Sequence, residues 1–109
     1  MLLDALDDLE ARAGDAARLL KLLANEQRLI LLCHLAECEC SVAELADYSG
    51  LSSSATSQHL ARMRAEGLVS ARRDAQTMWY RLADGDAARL IAVLCDIYGG
   101  TQKENEAVI

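Results

Sequence analysis

Four cysteines are the residues of this 109-residue chain best suited to covalent or metal-binding chemistry. Cys38 and Cys40 flank a single glutamate in a short polar segment, whereas Cys33 and Cys95 fall at apolar positions of helical patterns. A thiolate is both a nucleophile and a soft metal ligand. A cysteine at an apolar helix position, however, is most often a small core residue, so Cys33 and Cys95 have a structural and a chemical interpretation.

Cys38 and Cys40 are the candidate ligands for a thiophilic metal ion. The negative charge of the glutamates beside them should slow oxidation of these cysteines, and a soft cation would reverse that penalty. Two thiolates make an incomplete site, so a third ligand would come from Cys33, His34 or a second subunit. No other cofactor is indicated. The chain has two isolated histidines and no glycine-rich phosphate loop, so the sequence predicts no enzymatic activity.

One predicted helix, residues 53–66, presents small polar side chains on the face opposite its apolar positions. Serine and glutamine can read base edges, and short side chains let a helix lie deep in the major groove of DNA. Arginines at the end of this helix and in the segment after it are candidates for phosphate contacts. The candidate DNA-binding residues are Ser53, Ser54, Ser57, Gln58, His59, Arg62, Arg72, Arg73 and Gln76.

The formal net charge is −6, but the charge is unevenly distributed along the chain. Residues 58–81 carry five arginines and two carboxylates, whereas the segments before and after them are acidic. An acidic protein repels DNA in general, so non-specific phosphate binding should be weak. The short basic segment predicts a small, directed contact with DNA.

About five helices and two strands are predicted to position these residues. Nineteen alanines and 19 leucines, against eight isoleucines and valines, favour a mostly helical protein. Asn25, Ser41 and Ser52 are candidate N-caps, and Gly67 is a candidate C-cap. The predicted helices span residues 3–24, 26–37, 42–48, 53–66 and 86–98, and the predicted strands span residues 68–73 and 77–82. Two short helices joined by a glycine-containing turn and followed by a hairpin are typical of a winged helix-turn-helix.

The chain is predicted to form one domain, residues 1–109, that assembles as a homodimer. Apolar stripes on the segments 1–24 and 84–98 lack sufficient partners within so small a chain, which indicates dimerisation through these helices. Residues 99–109 are expected to form a flexible tail. No apolar run approaches the ~20 residues that span a bilayer, and the N-terminus lacks a basic signal-peptide region, so a cytoplasmic location without membrane contact is expected.

Three segments together resemble the ArsR/SmtB family of winged-helix repressors. They are residues 23–35 (LANEQRLILLCHL), residues 51–60 (LSSSATSQHL) followed by EGLV at 66–69, and residues 72–80 (RRDAQTMWY) at the predicted wing. The similarity extends over about residues 15–98. It implies a homodimer with its first and last helices at the interface, bound to a palindromic operator and released by an inducer.

Within this family, the chain is most similar to the sulfide- and redox-responsive branch, the BigR/SqrR/HlyU group. That branch has one cysteine at the position of Cys33 and a second after an apolar–tyrosine pair at the end of the last helix. Here the pair is Ile97-Tyr98, the next residue is Gly99, and the nearest cysteine is Cys95, one turn earlier. The resemblance implies a thiol sensor at Cys33 and Cys95, with the second cysteine displaced from its usual place.

The predicted function is that of a DNA-binding transcriptional regulator, a repressor released from a palindromic operator when an oxidant or reactive sulfur species modifies Cys33 and Cys95. One alternative is a repressor that senses a thiophilic metal or metalloid through Cys38, Cys40 and a third ligand. Another is a DNA-binding antagonist that needs no inducer. The predicted partners are double-stranded operator DNA and a second copy of the chain.

Overall fold

The computed structural model describes residues 2–100, which form six α-helices, a closing π-helical turn and a three-stranded antiparallel sheet. The helices are α1 (Leu2–Ala11), α2 (Ala13–Leu23), α3 (Glu26–Glu37), α4 (Val42–Ser49), α5 (Ser53–Ala65) and α6 (Gly85–Cys95), and the π-helical turn is Asp96–Gly100. The strands are β1 (Cys40–Ser41), β2 (Val69–Asp74) and β3 (Thr77–Leu82). The predicted mostly helical architecture with a hairpin wing is confirmed. Of the predicted tail, residues 101–109 lie outside the described residues.

The helix-turn-helix consists of α4 and α5, and local capping defines both ends of the turn. The Ser41 hydroxyl accepts from the backbone N–H of Glu44 at 3.2 Å, and the Glu44 carboxylate accepts from the N–H of Ser41 at 3.0 Å, which is the predicted capping box. Gly50 ends α4 in the left-handed conformation, with φ +75°. The Ser52 hydroxyl then accepts from the N–H of Ala55 at 3.0 Å and begins α5. The direction of α5 is therefore set by short-range contacts.

The end of α5 leads directly into the wing. Gly67 has φ +80°, and the N–H of Leu68 donates to the carbonyl of Met63 at 2.9 Å. This is the hydrogen bond of a Schellman C-cap, in which the left-handed residue is almost always glycine. Leu68 is 1% exposed, so the chain turns into the core as it leaves the helix. The glycine cap agrees with the sequence prediction.

The core lies between α3, α5, α6 and the sheet. Its buried apolar side chains come from α2, α3, β1, α4, α5, β2, α6 and the segment that joins α5 to β2. They are Leu23, Leu31, Leu32, Leu35, Cys40, Leu45, Leu60, Met63, Leu68, Val69, Ala87 and Ile91. One buried residue is charged: Arg28 is 9% exposed, donates to the carbonyl of Leu22 at 2.9 Å and pairs with Glu66 at 3.0 Å. This ion pair connects the start of α3 to the end of α5.

The wing is a regular hairpin with a two-residue turn. Its register runs from Val69 opposite Leu82 to Asp74 opposite Thr77. Ala75, the first turn residue, has φ +57°, a left-handed conformation that disfavours any residue with a Cβ atom.

Three elements differ from the sequence prediction. The helix predicted over residues 86–98 is α-helical only to Cys95, and a π-helical turn continues it through Gly100, the second residue of the predicted tail. The predicted helix 3–24 is divided at Arg12, whose φ of −116° and ψ of 16° are not helical, so the described residues contain six helices and not about five. Gly14, a poor helix former, follows two residues later and weakens the segment. The sequence predicts no strand in the polar segment around Cys40, but this segment forms β1, with Cys40 opposite Tyr80 and Ser41 opposite Trp79 of β3. A strand of two residues is too short to show an alternating pattern.

Large apolar side chains remain exposed on α1, α2, α6 and the π-helical turn. The most exposed are Leu3, Leu9, Leu20, Val93, Ile97 and Tyr98. These residues belong to the two segments for which the sequence predicts dimerisation, and that prediction remains open. Across residues 2–100, no helix has the length and apolar character that crossing a membrane requires.

Candidate DNA-binding surface and cysteine pairs

The outer face of α5 carries small polar side chains, as the sequence predicts. Ser53, Ser54, Ser57, Gln58 and Arg62 are exposed, and His59 is half-buried. The opposite face, Thr56, Leu60 and Met63, is buried in the core. The Thr56 hydroxyl donates to the carbonyl of Ser52 at 2.8 Å, so this one buried hydroxyl is already satisfied. The exposed hydroxyls and amide form a surface of the kind that base edges recognise.

The remaining candidate DNA-binding residues lie on the wing. Arg72 and Arg73 are exposed on β2, and Gln76 is exposed in the turn. The guanidinium of Arg72 donates twice to the carboxylate of Glu39, through Nε and an η nitrogen, both at 2.8 Å. This pairing lowers the pKa of Glu39 and raises that of Arg72. Arg72 is therefore engaged within the chain, whereas Arg73 makes no ion pair among the described residues.

Cys33 and Cys95 meet inside the protomer. The Cys95 thiol, at the last residue of α6, lies 3.1 Å from the Cys33 sulfur in α3, and both residues are half-buried free cysteines. Burial, together with the hydrogen bond and charge of Cys95, raises the pKa of Cys33 to about 12. The two sulfurs need to approach by only about 1 Å to reach disulfide bonding distance. The displaced position of Cys95 in the sequence thus still brings it to Cys33.

Cys38 and Cys40 form a second, looser pair. Their sulfurs are 3.8 Å apart, and the Cys40 thiol donates to the carbonyl of Cys38 at 3.4 Å. Cys40 is buried, and burial with the neighbouring thiol and Glu44 raises its pKa to about 12. Within residues 2–100, no group of three or more His, Cys, Asp or Glu side chains is placed to hold a metal ion. The side chain of His34, a candidate third ligand, stacks on Tyr48 with ring centroids 4.6 Å apart.

Both cysteine pairs border the same open groove, whose volume is about 1080 Å³. The groove lies between α3, the segment before β1, and the end of α6, and apolar and aromatic side chains form much of its wall, among them Leu29, Leu94 and Tyr98. A small molecule can therefore reach either pair of thiols without unfolding of the core.

Two contacts at this surface were not predicted from the sequence. The pairs Glu39–Arg72 and Arg28–Glu66 both join residues that lie more than 30 positions apart. The first had no signal in the sequence, because only the pairing of β1 with β3 places Glu39 next to the wing. The second had no local signal, since a buried arginine is rare and its partner becomes evident only when α3 packs on α5.

Comparison with known proteins identifies the family to which the chain is similar. Residues 25–71, from the N-cap of α3 into β2, match the family described as bacterial regulatory protein, arsR family. The transcriptional activator HlyU of Vibrio cholerae is 44% identical over 93 residues, which are 85% of this chain and 86% of that protein. The crystal structure of the transcriptional repressor BigR from Xylella fastidiosa is 40% identical, with a TM-score of 0.78, over 84% of this chain and 94% of that one.

A third similarity concerns assembly. The solution structure of a homodimeric winged helix-turn-helix DNA-binding domain from Mycobacterium bovis is 35% identical, with a TM-score of 0.69, over 89% of this chain and 91% of that chain. These relatives are regulators of transcription and not enzymes, as the sequence predicted for this chain. The identity and coverage, together with the helix-turn-helix and wing described above, show that the chain belongs to the ArsR family of bacterial regulatory proteins.

Proposed function

We propose that this chain is a homodimeric, cytoplasmic repressor that binds a palindromic operator and leaves it when Cys33 and Cys95 become covalently linked. The observation that carries the proposal is the 3.1 Å separation of the two sulfurs. The relatives supply the DNA-binding role, and the exposed serine and glutamine face of α5 supplies a surface for base contacts.

The linking reaction is a two-electron oxidation. With a hydroperoxide, the two thiols lose their protons and form the S–S bond, and the peroxide is reduced to an alcohol and water. With hydrogen trisulfide, one sulfur is inserted, giving Cys–S–S–S–Cys and two molecules of hydrogen sulfide. Burial and the neighbouring Cys95 raise the pKa of the Cys33 thiol, so attack by Cys33 itself is disfavoured at neutral pH.

The link would act on DNA binding through α3. Cys33 lies in the middle of this helix, and Arg28 at its start pairs with Glu66 at the end of α5. Cys95 ends α6, which belongs to the predicted dimerisation surface. A covalent bond between α3 and α6 would therefore connect the DNA-reading helix to the dimer interface. This covalent bond lowers operator affinity if it favours an arrangement of the two protomers in which their α5 helices no longer match successive major grooves about 34 Å apart.

The test measures operator affinity before and after treatment with a hydroperoxide or inorganic polysulfide. Treatment should release wild-type protein, and a thiol reductant should restore binding. The Cys33→Ser and Cys95→Ser variants should stay bound, whereas the matched Cys38→Ser and Cys40→Ser variants should be released like wild type. Continued release of the Cys33→Ser variant would contradict the proposal.

The Cys38–Cys40 pair supports a second candidate, a response to a thiophilic metal or metalloid, because its sulfurs are close enough to share one ion. This candidate needs a ligand from a second subunit. The metal-sensing function is supported if a thiophilic cation releases wild-type protein, Cys38→Ser removes that response, and oxidants have no effect. If neither reagent changes affinity, the chain is a DNA-binding antagonist without an inducer, a role compatible with a relative described as an activator.

A further inference from the structure

A small basic notch lies beside α5, on the side where α2 ends and α3 begins. We define the notch by its charged and titratable side chains, which are Arg18, Lys21, Arg28, His59, Arg62 and Glu66. Its volume is about 330 Å³. Four of the six side chains are cationic at neutral pH and one is anionic, in a chain whose net charge is −6.

The single carboxylate of the notch is already neutralised. Glu66 pairs with the buried Arg28 at 3.0 Å, and Arg28 also donates to a backbone carbonyl, so this pair forms a fixed floor. Lys21 and Arg62 make no ion pair among residues 2–100. Arg18 approaches only Asp15, at 3.7 Å, with both side chains more than half exposed, and such a pair contributes little. The notch therefore presents three cations available to an external anion.

The position of the notch identifies the anion. His59 and Arg62 belong both to the notch and to the predicted DNA-binding face of α5. In a helix-turn-helix, the first half of the second helix enters the major groove, so side chains near its other end and on the adjacent helix face the sugar–phosphate backbone.

We propose that the notch binds a backbone phosphate of the operator through Arg18, Lys21 and Arg62. Arg18 and Lys21 lie in α2, before residues 25–71 that match the family. The DNA-contacting surface thus extends beyond the helix-turn-helix and wing onto the preceding helix. This inference rests on the DNA-binding role proposed above, and it does not depend on the cysteines.

The test is the salt dependence of DNA binding in Lys21→Ala and in the double variant Arg18→Ala/Lys21→Ala. Loss of one phosphate contact should flatten the slope of log affinity against log salt concentration by about 0.9 for each protomer bound. Affinity should fall by the same factor for operator and scrambled DNA. Lys21→Arg, which keeps the charge, should behave like wild type. Thermal unfolding of each variant verifies that it is folded.

Three outcomes would overturn the inference. If wild type binds DNA and the double variant retains the wild-type slope, phosphate binding at the notch is refuted and the proposed function is not. Wild type could bind no DNA, which refutes both the notch and the proposed function. Titration with inorganic phosphate at constant ionic strength could reveal saturable, Lys21-dependent binding while the Lys21→Ala variant keeps full DNA affinity, which would identify a small-anion site in place of a DNA contact.

Discussion

The Glu39 carboxylate lies between the two cysteines that flank it in the chain and the wing arginine that it binds. Its two hydrogen bonds to Arg72, both 2.8 Å, hold a cation that the sequence assigned to a DNA phosphate. A guanidinium that is paired with a carboxylate attracts phosphate less than a free one, because the net charge of the pair is zero. The wing of this protein thus has one available arginine on β2, Arg73, and one that Glu39 restrains.

Replacing Glu39 with glutamine should therefore tighten DNA binding. The substitution removes a negative charge beside the wing and leaves Arg72 available to a phosphate, so affinity should rise for every DNA sequence and the salt slope should steepen. Fluorescence anisotropy with operator and scrambled duplexes measures both quantities. The double variant Glu39→Gln/Arg72→Ala should not show this increase. Weaker binding by Glu39→Gln would show instead that Glu39 holds Arg72 in the orientation that DNA requires.

The thiol of Cys33 should react slowly near neutral pH and faster in base. Its pKa of about 12, against an ordinary value of 9.0, keeps it protonated at pH 8, and only the thiolate attacks an alkylating agent. Labelling of Cys33 by iodoacetamide should rise about tenfold per pH unit between pH 8 and 11 in the folded protein. The exposed Cys38 serves as the internal comparison, and mass spectrometry of peptides reports each site.

Unfolding in urea should abolish this protection of Cys33. The unfolded chain exposes the thiol to water and separates it from Cys95, so its pKa should return to the ordinary range and labelling at pH 8 should accelerate. Equal labelling of Cys33 in folded and unfolded protein would contradict the burial and thiol contact that the structure gives it.

Residue types were visible in the sequence, but residue contacts were not. The thiol chemistry of Cys33 and Cys95 followed from their identity and from a family resemblance, whereas their 3.1 Å contact joins positions 62 residues apart and depends on how α3 packs on α6. Arg72 was predicted to meet phosphate because it lies in the basic segment that follows the predicted DNA-reading helix. Only the pairing of β1 with β3 shows that Glu39 is beside it.

At the scale of elements, the wing turn contains a strained residue. Ala75 has φ +57° between strands whose last paired residues are Asp74 and Thr77. A Cβ atom in this conformation crowds the backbone and costs about 1–2 kcal/mol, and glycine avoids that cost although it makes the unfolded chain more flexible. Glycine at position 75 would therefore make the turn more stable.

Ala75→Gly should stabilise the protein by roughly 0.5–1 kcal/mol, after the unfolded-state entropy is subtracted. The midpoint of urea unfolding should rise with no change in the slope of the transition. Gln76→Gly is the matched control, because Gln76 does not have a positive φ and glycine there should only add flexibility to the unfolded chain. A lower midpoint for Ala75→Gly than for wild type would refute the assignment of strain.

Elements were predictable wherever the chain carries a local signal. The capping box at Ser41 and the glycine at position 67 fixed helix ends within about one residue, because each works through hydrogen bonds across a single turn. The break at Arg12 had only a weak signal in Gly14. The strand β1 had none, since two residues pair with β3 through long-range contacts that no local pattern encodes.

At the scale of the whole molecule, the apolar side chains of α1 are poorly covered within the protomer. Leu3 is 74% exposed and Leu9 is 56% exposed on α1, and Val93 is 54% exposed on α6. Apolar side chains that recur at helical spacing and find no partner in their own chain normally mark an interface. The homodimeric relative offers the simplest cover, a second copy of the same surface related by a two-fold axis.

A dimer of this kind should dissociate when a charge is placed in the stripe. Leu6→Glu on α1 would bury an unpaired carboxylate at the interface, so sedimentation at micromolar concentration should report a monomer where wild type is a dimer. Leu6→Met keeps the apolar volume and should remain dimeric. The monomeric variant should keep the fold of α3–α6 by circular dichroism but lose high-affinity binding to a two-half-site operator, while its weak affinity for a single half-site stays the same.

The spacing of the two half-sites tests the same dimer. Two half-sites moved apart by half a helical turn, about 5 base pairs, should be bound no better by wild type than by Leu6→Glu. The reason is that the two α5 helices of a rigid dimer can meet only grooves on the same face of DNA. A wild-type chain that sediments as a monomer and binds the shifted and unshifted operators equally would refute the dimer.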